Sequence, residues 1–252
     1  MKKLIENGIV ISIANQKDDI ERSILTSLVA TCIHQKWGKK IKILVVDCYE
    51  QEGYLYKQRE RELEIVNDNY TPPFRLLNTP DWYFPKQVEL LVDVYDIVFV
   101  DLPGNLKQES ITQCYNLVDV LIVPTKANIL NLHSAIDFLK MYNETIMPTR
   151  EKYELKTAIY SLFSGVNIPT DNYKEQYLDE FRKYLSVEFL HNFVPESETS
   201  SQKKVNPISV SENSYYENYE DLSREMLSKI MSLARTDVPV DFFNVFVKDE
   251  LA

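Results

Sequence analysis

Six short apolar runs recur along the chain with longer amphipathic segments between them, and this alternation limits the fold more than any other feature. Ile9 to Ala14, Ile41 to Val46, Ile97 to Val100, Val118 to Val123, Lys156 to Phe163 and Val187 to Val194 are each four to eight residues long. The first of them, Ile9-Val10-Ile11-Ser12-Ile13-Ala14, is β-branched and continuous, as a strand covered on both faces must be. Between the runs, apolar residues fall at helical spacing. Ile24, Leu25, Leu28, Val29, Cys32 and Ile33 form one stripe. Helices are likewise expected over 54–66, 108–117, 130–142, 171–184 and 216–233. Pro72, Pro73, Pro80 and Pro85 predict an interruption of regular structure between the second and third strands. Strands that alternate with helices join through right-handed crossovers. The expected fold class is therefore α/β, with three α/β/α layers around a mainly parallel sheet.

The 252 residues fit one domain, expected over 1–235, followed by a tail over 236–252. Within that tail, Val238 to Val247 is rich in Phe and Val and suits a further strand, a docking arm or a frayed end. No apolar run approaches the length of about 18 residues that a membrane span requires, so no membrane partner is expected. Near the N-terminus Glu6 breaks the chain before any signal-peptide core forms. Cys32, Cys48 and Cys114 show no paired spacing, and together these features point to a reducing, cytoplasmic setting. His34, His133 and His191 are scattered singly and give no metal-ligand pattern. The formal net charge of −10 argues against DNA as a strong non-specific ligand.

In a parallel sheet, ligands gather at the carboxyl ends of the strands. Three segments there carry unusual polar residues: Asn15 to Ser23, Asp47 to Gln51, and Asp101-Leu102-Pro103-Gly104. Asp47 and Asp101 each end a buried strand, a position that suits metal or phosphate chemistry but equally the capping of a following turn. Gly104 after Pro103 suits a tight turn. Asp18, Asp19 and Glu21 precede or open a helix, where carboxylates complement the dipole by about 0.3–1 kcal/mol each.

Taken in order, these segments resemble the ParA/MinD-type ATPases with a deviant Walker A loop. The stretch from Ile13 to Ser23 is similar to that loop, and Asp47 to Gln51 to the family's Asp-x-Asp-Pro-Gln switch. Tyr95 to Gly104 resembles its Walker B strand and turn, and Val120 to Thr125 its next strand. Phe193-Val194-Pro195 with Asn206-Pro207-Ile208 resembles its nucleotide-base loop. The Asp-Leu-Pro-Gly turn and the Arg59-Glu60-Arg61 stretch also resemble ParA-like proteins carried on Bacteroidetes conjugative elements. The resemblance implies that Lys17 is the lysine extended toward a partner subunit's nucleotide. It implies too that Ser23, Asp47 and Asp101 descend from magnesium-organising positions, and that Pro195 lies near the base.

Several residues depart from the family pattern. Asp18 and Asp19 replace a Gly-Gly pair, Gln16 and Glu21 occupy glycine positions, Arg22 replaces the phosphate-binding lysine, and Tyr49 replaces the second switch aspartate. A carboxylate about 5 Å from a phosphate charge costs roughly 3 kcal/mol at an effective dielectric near 20. Arginine binds phosphate through a planar fork and does not reproduce the compact lysine ammonium. The whole chain holds only 5 glycines. The expectation is thus a degenerate ParA-like protein without cofactor turnover, a dimerising binding or regulatory module in plasmid or conjugative-element partition, transfer or positioning. Its partner would be a second copy, a ParA-like relative, or another partition or conjugation protein. The alternative is an active Mg-dependent ATPase in which Lys17 and Arg22 hold the phosphates of ATP while Ser23, Asp47 and Asp101 organise Mg²⁺.

Overall fold

The computed structural model describes residues 8–15, 19–49, 53–65, 71–126, 129–166, 187–195 and 216–233. Among these residues eight strands form one sheet: β1 (Ile9–Ile13), β2 (Ile43–Asp47), β3 (Arg75–Asn78), β4 (Ile97–Asp101), β5 (Val120–Thr125), β6 (Ala158–Val166), β7 (Glu188–Phe189) and β8 (Val194–Pro195). Their order is β3-β2-β4-β1-β5-β6-β7, with β8 also on β6, and every pairing is parallel.

Side chains alternate across this sheet, and the central strands divide their residues between two cores. Val10, Leu44, Val46, Val98, Val100, Leu121 and Val123 point into one. Ile11, Ile13, Ile43, Val45, Ile97, Phe99, Val120 and Ile122 point into the other. Every residue of β1, β2, β4 and β5 is buried, which is why these runs are apolar without alternation. Helices α3 (Phe84–Val94), α4 (Glu109–Tyr115) and α5 (Ile129–Thr145) cover the first core. Helices α1 (Asp19–Trp37) and α2 (Tyr54–Ile65) cover the second, together with the terminal helix Tyr216–Leu233. A short helix, α6 (Met147–Lys152), precedes β6, and the terminal helix is α7.

The proline-rich region departs from its sequence reading. It holds an edge strand and an eleven-residue helix, β3 and α3. The prolines are compatible with both because none interrupts either element's hydrogen bonding. Pro72 and Pro73 precede β3, Pro80 lies between the elements, and Pro85 sits in the first turn of α3 where its missing N–H costs nothing. Helix α1 begins at Asp19, one turn before the stripe that reveals it in the sequence. The sixth run divides into two short strands, β7 and β8. The helix expected over 171–184 and the tail over 236–252 lie outside the described residues.

At the amino end of the sheet, Arg150 of α6 is 1% exposed and donates to the Asn116 carbonyl at 2.6 Å and the Lys156 carbonyl at 3.0 Å. It also pairs with Asp119 Oδ1 at 3.2 Å, while Asp119 Oδ2 accepts from the Val10 amide. One guanidinium thereby joins the entries to β1, β5 and β6.

Candidate functional site

At the opposite, carboxyl end, β2 and β4 run in register so that Asp47 stands beside Asp101. Both carboxylates are fully buried. Ser23, on the first turns of α1, donates its hydroxyl to Asp101 Oδ2 at 2.5 Å. Asp47 Oδ2 accepts the Tyr56 amide at 2.9 Å and so caps the start of α2. The remaining oxygen of each, Asp47 Oδ1 and Asp101 Oδ1, is buried and has no hydrogen-bond partner among the described residues.

Gly53 makes the approach to Asp47 possible. A Cβ built on Gly53 would lie 1.9 Å from Asp47 Oδ1, so any side chain there must displace the carboxylate from α2. Gly53→Ala is expected to lower stability by about 1–3 kcal/mol, read from urea unfolding. An unchanged midpoint would show that Asp47 does not need this cradle.

Arg22 lies one residue before Ser23 and is 1% exposed. Its guanidinium turns inward and donates to the Leu102 carbonyl at 3.1 Å. The turn after β4 is held from a second side by Tyr115 of α4, whose hydroxyl donates to the Pro103 carbonyl at 3.3 Å. Gly104 is buried within this turn. Tyr49 leans into the same cluster. Its buried phenol is held above the ordinary range first by desolvation, with Asp101 and Asp47 pushing it further up and Arg22 opposing them.

Burial pushes the Asp101 carboxyl up to about 7; the Ser23 hydrogen bond and Arg22 oppose this, and Asp47 adds to it. Burial also pushes Asp47 up to about 6, against the amides of Tyr56 and Leu55 and the charge of Lys57. Both native carboxyls therefore hold protons that the unfolded chain, near its ordinary value of about 3.9, has already released. The contribution of this pair to stability then falls as pH rises from about 4 to about 7. In the absence of divalent cations, Asp101→Asn is expected to flatten that slope and to raise stability at pH 8 by about 2 kcal/mol. Thermal melts across the pH range check it; a slope unaltered by the substitution would contradict it.

Arg22, Ser23, Asp47, Tyr49, Asp101 and Gly104 thus meet at one end of the sheet. Lys17 and Asp18 lie outside the described residues, as do the side chains of Asp19, Glu21 and Pro195. Pro195 itself ends β8, opposite Val166 of β6. Tyr115 and Gly53 join the site without having been singled out in the sequence. Gly53 had a signal: it is one of 5 glycines, set between a strand-terminal aspartate and a helix start. Tyr115 had none beyond its place on a helical stripe. Among the described residues no group of three or more His, Cys, Asp or Glu side chains is placed to hold a metal, so any ion here would depend on the two carboxyls and on Ser23.

No protein-family model and no curated protein sequence matches the chain. Solved structures do. The MinD cell division protein of Aquifex aeolicus superposes with a TM-score of 0.63 at 14% identity, over 92% of this chain and 99% of its own. A ParA family ATPase from Chlorobium tepidum gives 0.61 at 13%, over 87% and 98%. A putative plasmid partition protein of Borrelia burgdorferi, solved bound to AMPPNP, gives 0.61 at 19%, over 88% and 99%. The order of strands, the helices on both faces and the near-complete overlap give one conclusion: this chain has the ParA/MinD-type P-loop ATPase fold.

Proposed function

We propose that this protein is a degenerate ParA-like module that has given up ATP turnover and works by binding. It would dimerise, with itself or with a ParA-like relative, in the partition, transfer or positioning of a plasmid or conjugative element. The observation that carries this reading is the direction of Arg22. In a phosphate loop the lysine at that position must reach outward to the nucleotide. Here the side chain is buried, donates to the Leu102 carbonyl, and acts on Asp101 as its internal counter-charge. Tyr49, in place of a second switch aspartate, adds a phenol where a carboxylate would orient water.

One observation favours the alternative, a Mg-dependent ATPase. Asp47 Oδ1 and Asp101 Oδ1 have no hydrogen-bond partner among the described residues, and Ser23 Oγ lies beside Asp101. An all-oxygen set with two carboxylates fits magnesium, which keeps several waters and takes one or two protein carboxylates. Ser23, Asp47 and Asp101 would hold the ion, which would supply positive charge beside a phosphate.

Calorimetric titration of the full chain with Mg-ATP separates the readings. The expected result is no binding heat and no thermal shift up to millimolar nucleotide. Affinity in the micromolar range, about 8 kcal/mol, would overturn the pseudo-ATPase reading. Magnesium alone, titrated in parallel, reports whether the carboxyl pair takes an ion without nucleotide.

A further inference from the structure

Helix α3 carries apolar residues on two opposite sides. Phe84, Val88 and Val92 are buried against the sheet. At about 100° per residue, Tyr83, Leu90 and Val94 fall together on the side facing away from that core, with half-buried Gln87, whose side-chain oxygen accepts from the Thr79 hydroxyl, at the margin of the stripe. Tyr83 belongs to the stripe because its backbone, φ −100° and ψ −25°, already follows the helical turn. Leu90 is 70% exposed, Val94 52% and Tyr83 40%. With Gln87 counted between Tyr83 and Leu90, the spacing of four, three and four residues is that of a seam between packed helices.

The charges beside the seam identify what fits it. Lys86 and Asp93 lie along the same edge of the stripe, a helical heptad apart. Lys86 extends over the Trp82 ring, 5.6 Å from its centroid. Against an antiparallel copy of the same helix, Tyr83 meets Val94, Gln87 meets Leu90, and Lys86 comes beside Asp93 of the second copy. Two-fold symmetry makes each of these contacts twice. A parallel copy would instead set each seam residue against its own like and put the charged edges of the two copies on opposite sides of the contact.

We propose that two copies of this chain pack through the outer face of α3, antiparallel about a two-fold axis. The face belongs to the layer opposite α1, so the contact uses neither Arg22 nor Ser23 and is independent of nucleotide. It supplies a surface for the dimerisation proposed above and rests on that reading only for the existence of a self-dimer. Eleven residues of helix span about 16 Å, which is small for a stable interface of about 800 Å² per partner. Association is therefore reversible, with a dissociation constant in the micromolar range or weaker.

Sedimentation equilibrium of the full chain tests this. The wild type is expected to show a monomer–dimer equilibrium that Leu90→Glu weakens at least tenfold. Because Leu90 faces solvent, circular dichroism should show the variant folded. Lys86→Asp alone and Asp93→Lys alone should each weaken the dimer, and the two together should restore it. A wild-type dimer indifferent to Leu90→Glu and to the charge swap would overturn the α3 surface while leaving dimerisation intact. A wild type monomeric up to about 1 mM, where even weak contacts register, would overturn the self-dimer together with its α3 surface and leave only pairing with a relative.

Discussion

Arg22→Met will cost the protein about 3–5 kcal/mol of stability at pH 8, the penalty for removing one partner from a buried ionic cluster. The side chain replaced is 1% exposed and is the cation that opposes the raised Asp101 carboxyl. Methionine fills much of the space but leaves the Leu102 carbonyl without its arginine donor and the buried Asp101 carboxyl with the Ser23 hydrogen bond but no counter-charge. The effect carries a pH signature. Without Arg22, protonation of Asp101 is favoured further, so the loss is smaller at pH 5, where the carboxyls are neutral, than at pH 8. Urea unfolding at the two pH values reads both parts. A loss below about 1 kcal/mol, equal at both, would mean that the guanidinium faces solvent or a phosphate in solution, and that the phosphate loop is not spent.

The second large effect lies at the other end of the sheet. Arg150→Met is expected to cost about 3 kcal/mol, toward the lower end for a buried arginine. Two carbonyls lose their donor, those of Asn116 and Lys156, but Asp119 is 27% exposed at its side chain and regains water when its partner leaves. At about 2–4 °C per kcal/mol for a chain of this size, the melting temperature should fall by roughly 10 °C. Binding measured at the carboxyl end should be untouched, since Arg150 lies at the opposite, amino end of the sheet. A melting temperature lowered by less than about 2 °C would show that the three strand entries hold without this guanidinium.

Much of this fold is legible in the amino-acid order. The central strands announce themselves because burial on both faces forbids polar residues, and Ile97 to Val100 permits few other readings. Strand β3 does not, because an edge strand of four residues, Arg75-Leu76-Leu77-Asn78, is only partly covered and contains too few residues to set a period. Helix α3 was hidden by Pro85, although Phe84, Val88 and Val92 hold the right spacing. The site divides along the same line. Asp47 and Asp101 are recognisable as strand ends, and their adjacency follows from parallel register. The inward turn of Arg22 is not written locally. A guanidinium on the first turns of a helix can point to an external anion or to a buried carbonyl, and only the tertiary placement of Leu102 and Asp101 decides. The fit of Gly53 around Asp47 is likewise a contact between two segments that sequence order alone does not bring to that distance.

The turn of Leu102, Pro103 and Gly104 is gripped by Arg22 from the layer of α1 and by Tyr115 from the layer of α4. A loop tied to one layer can swing with it, but a loop tied to both must break a hydrogen bond on one side before it can move. Its opening therefore costs about 1 kcal/mol or more beyond that of a loop held from one side alone. Molecules engaging this rim must take it as it stands, so selection among them falls to shape and charge already in place and not to a closing motion.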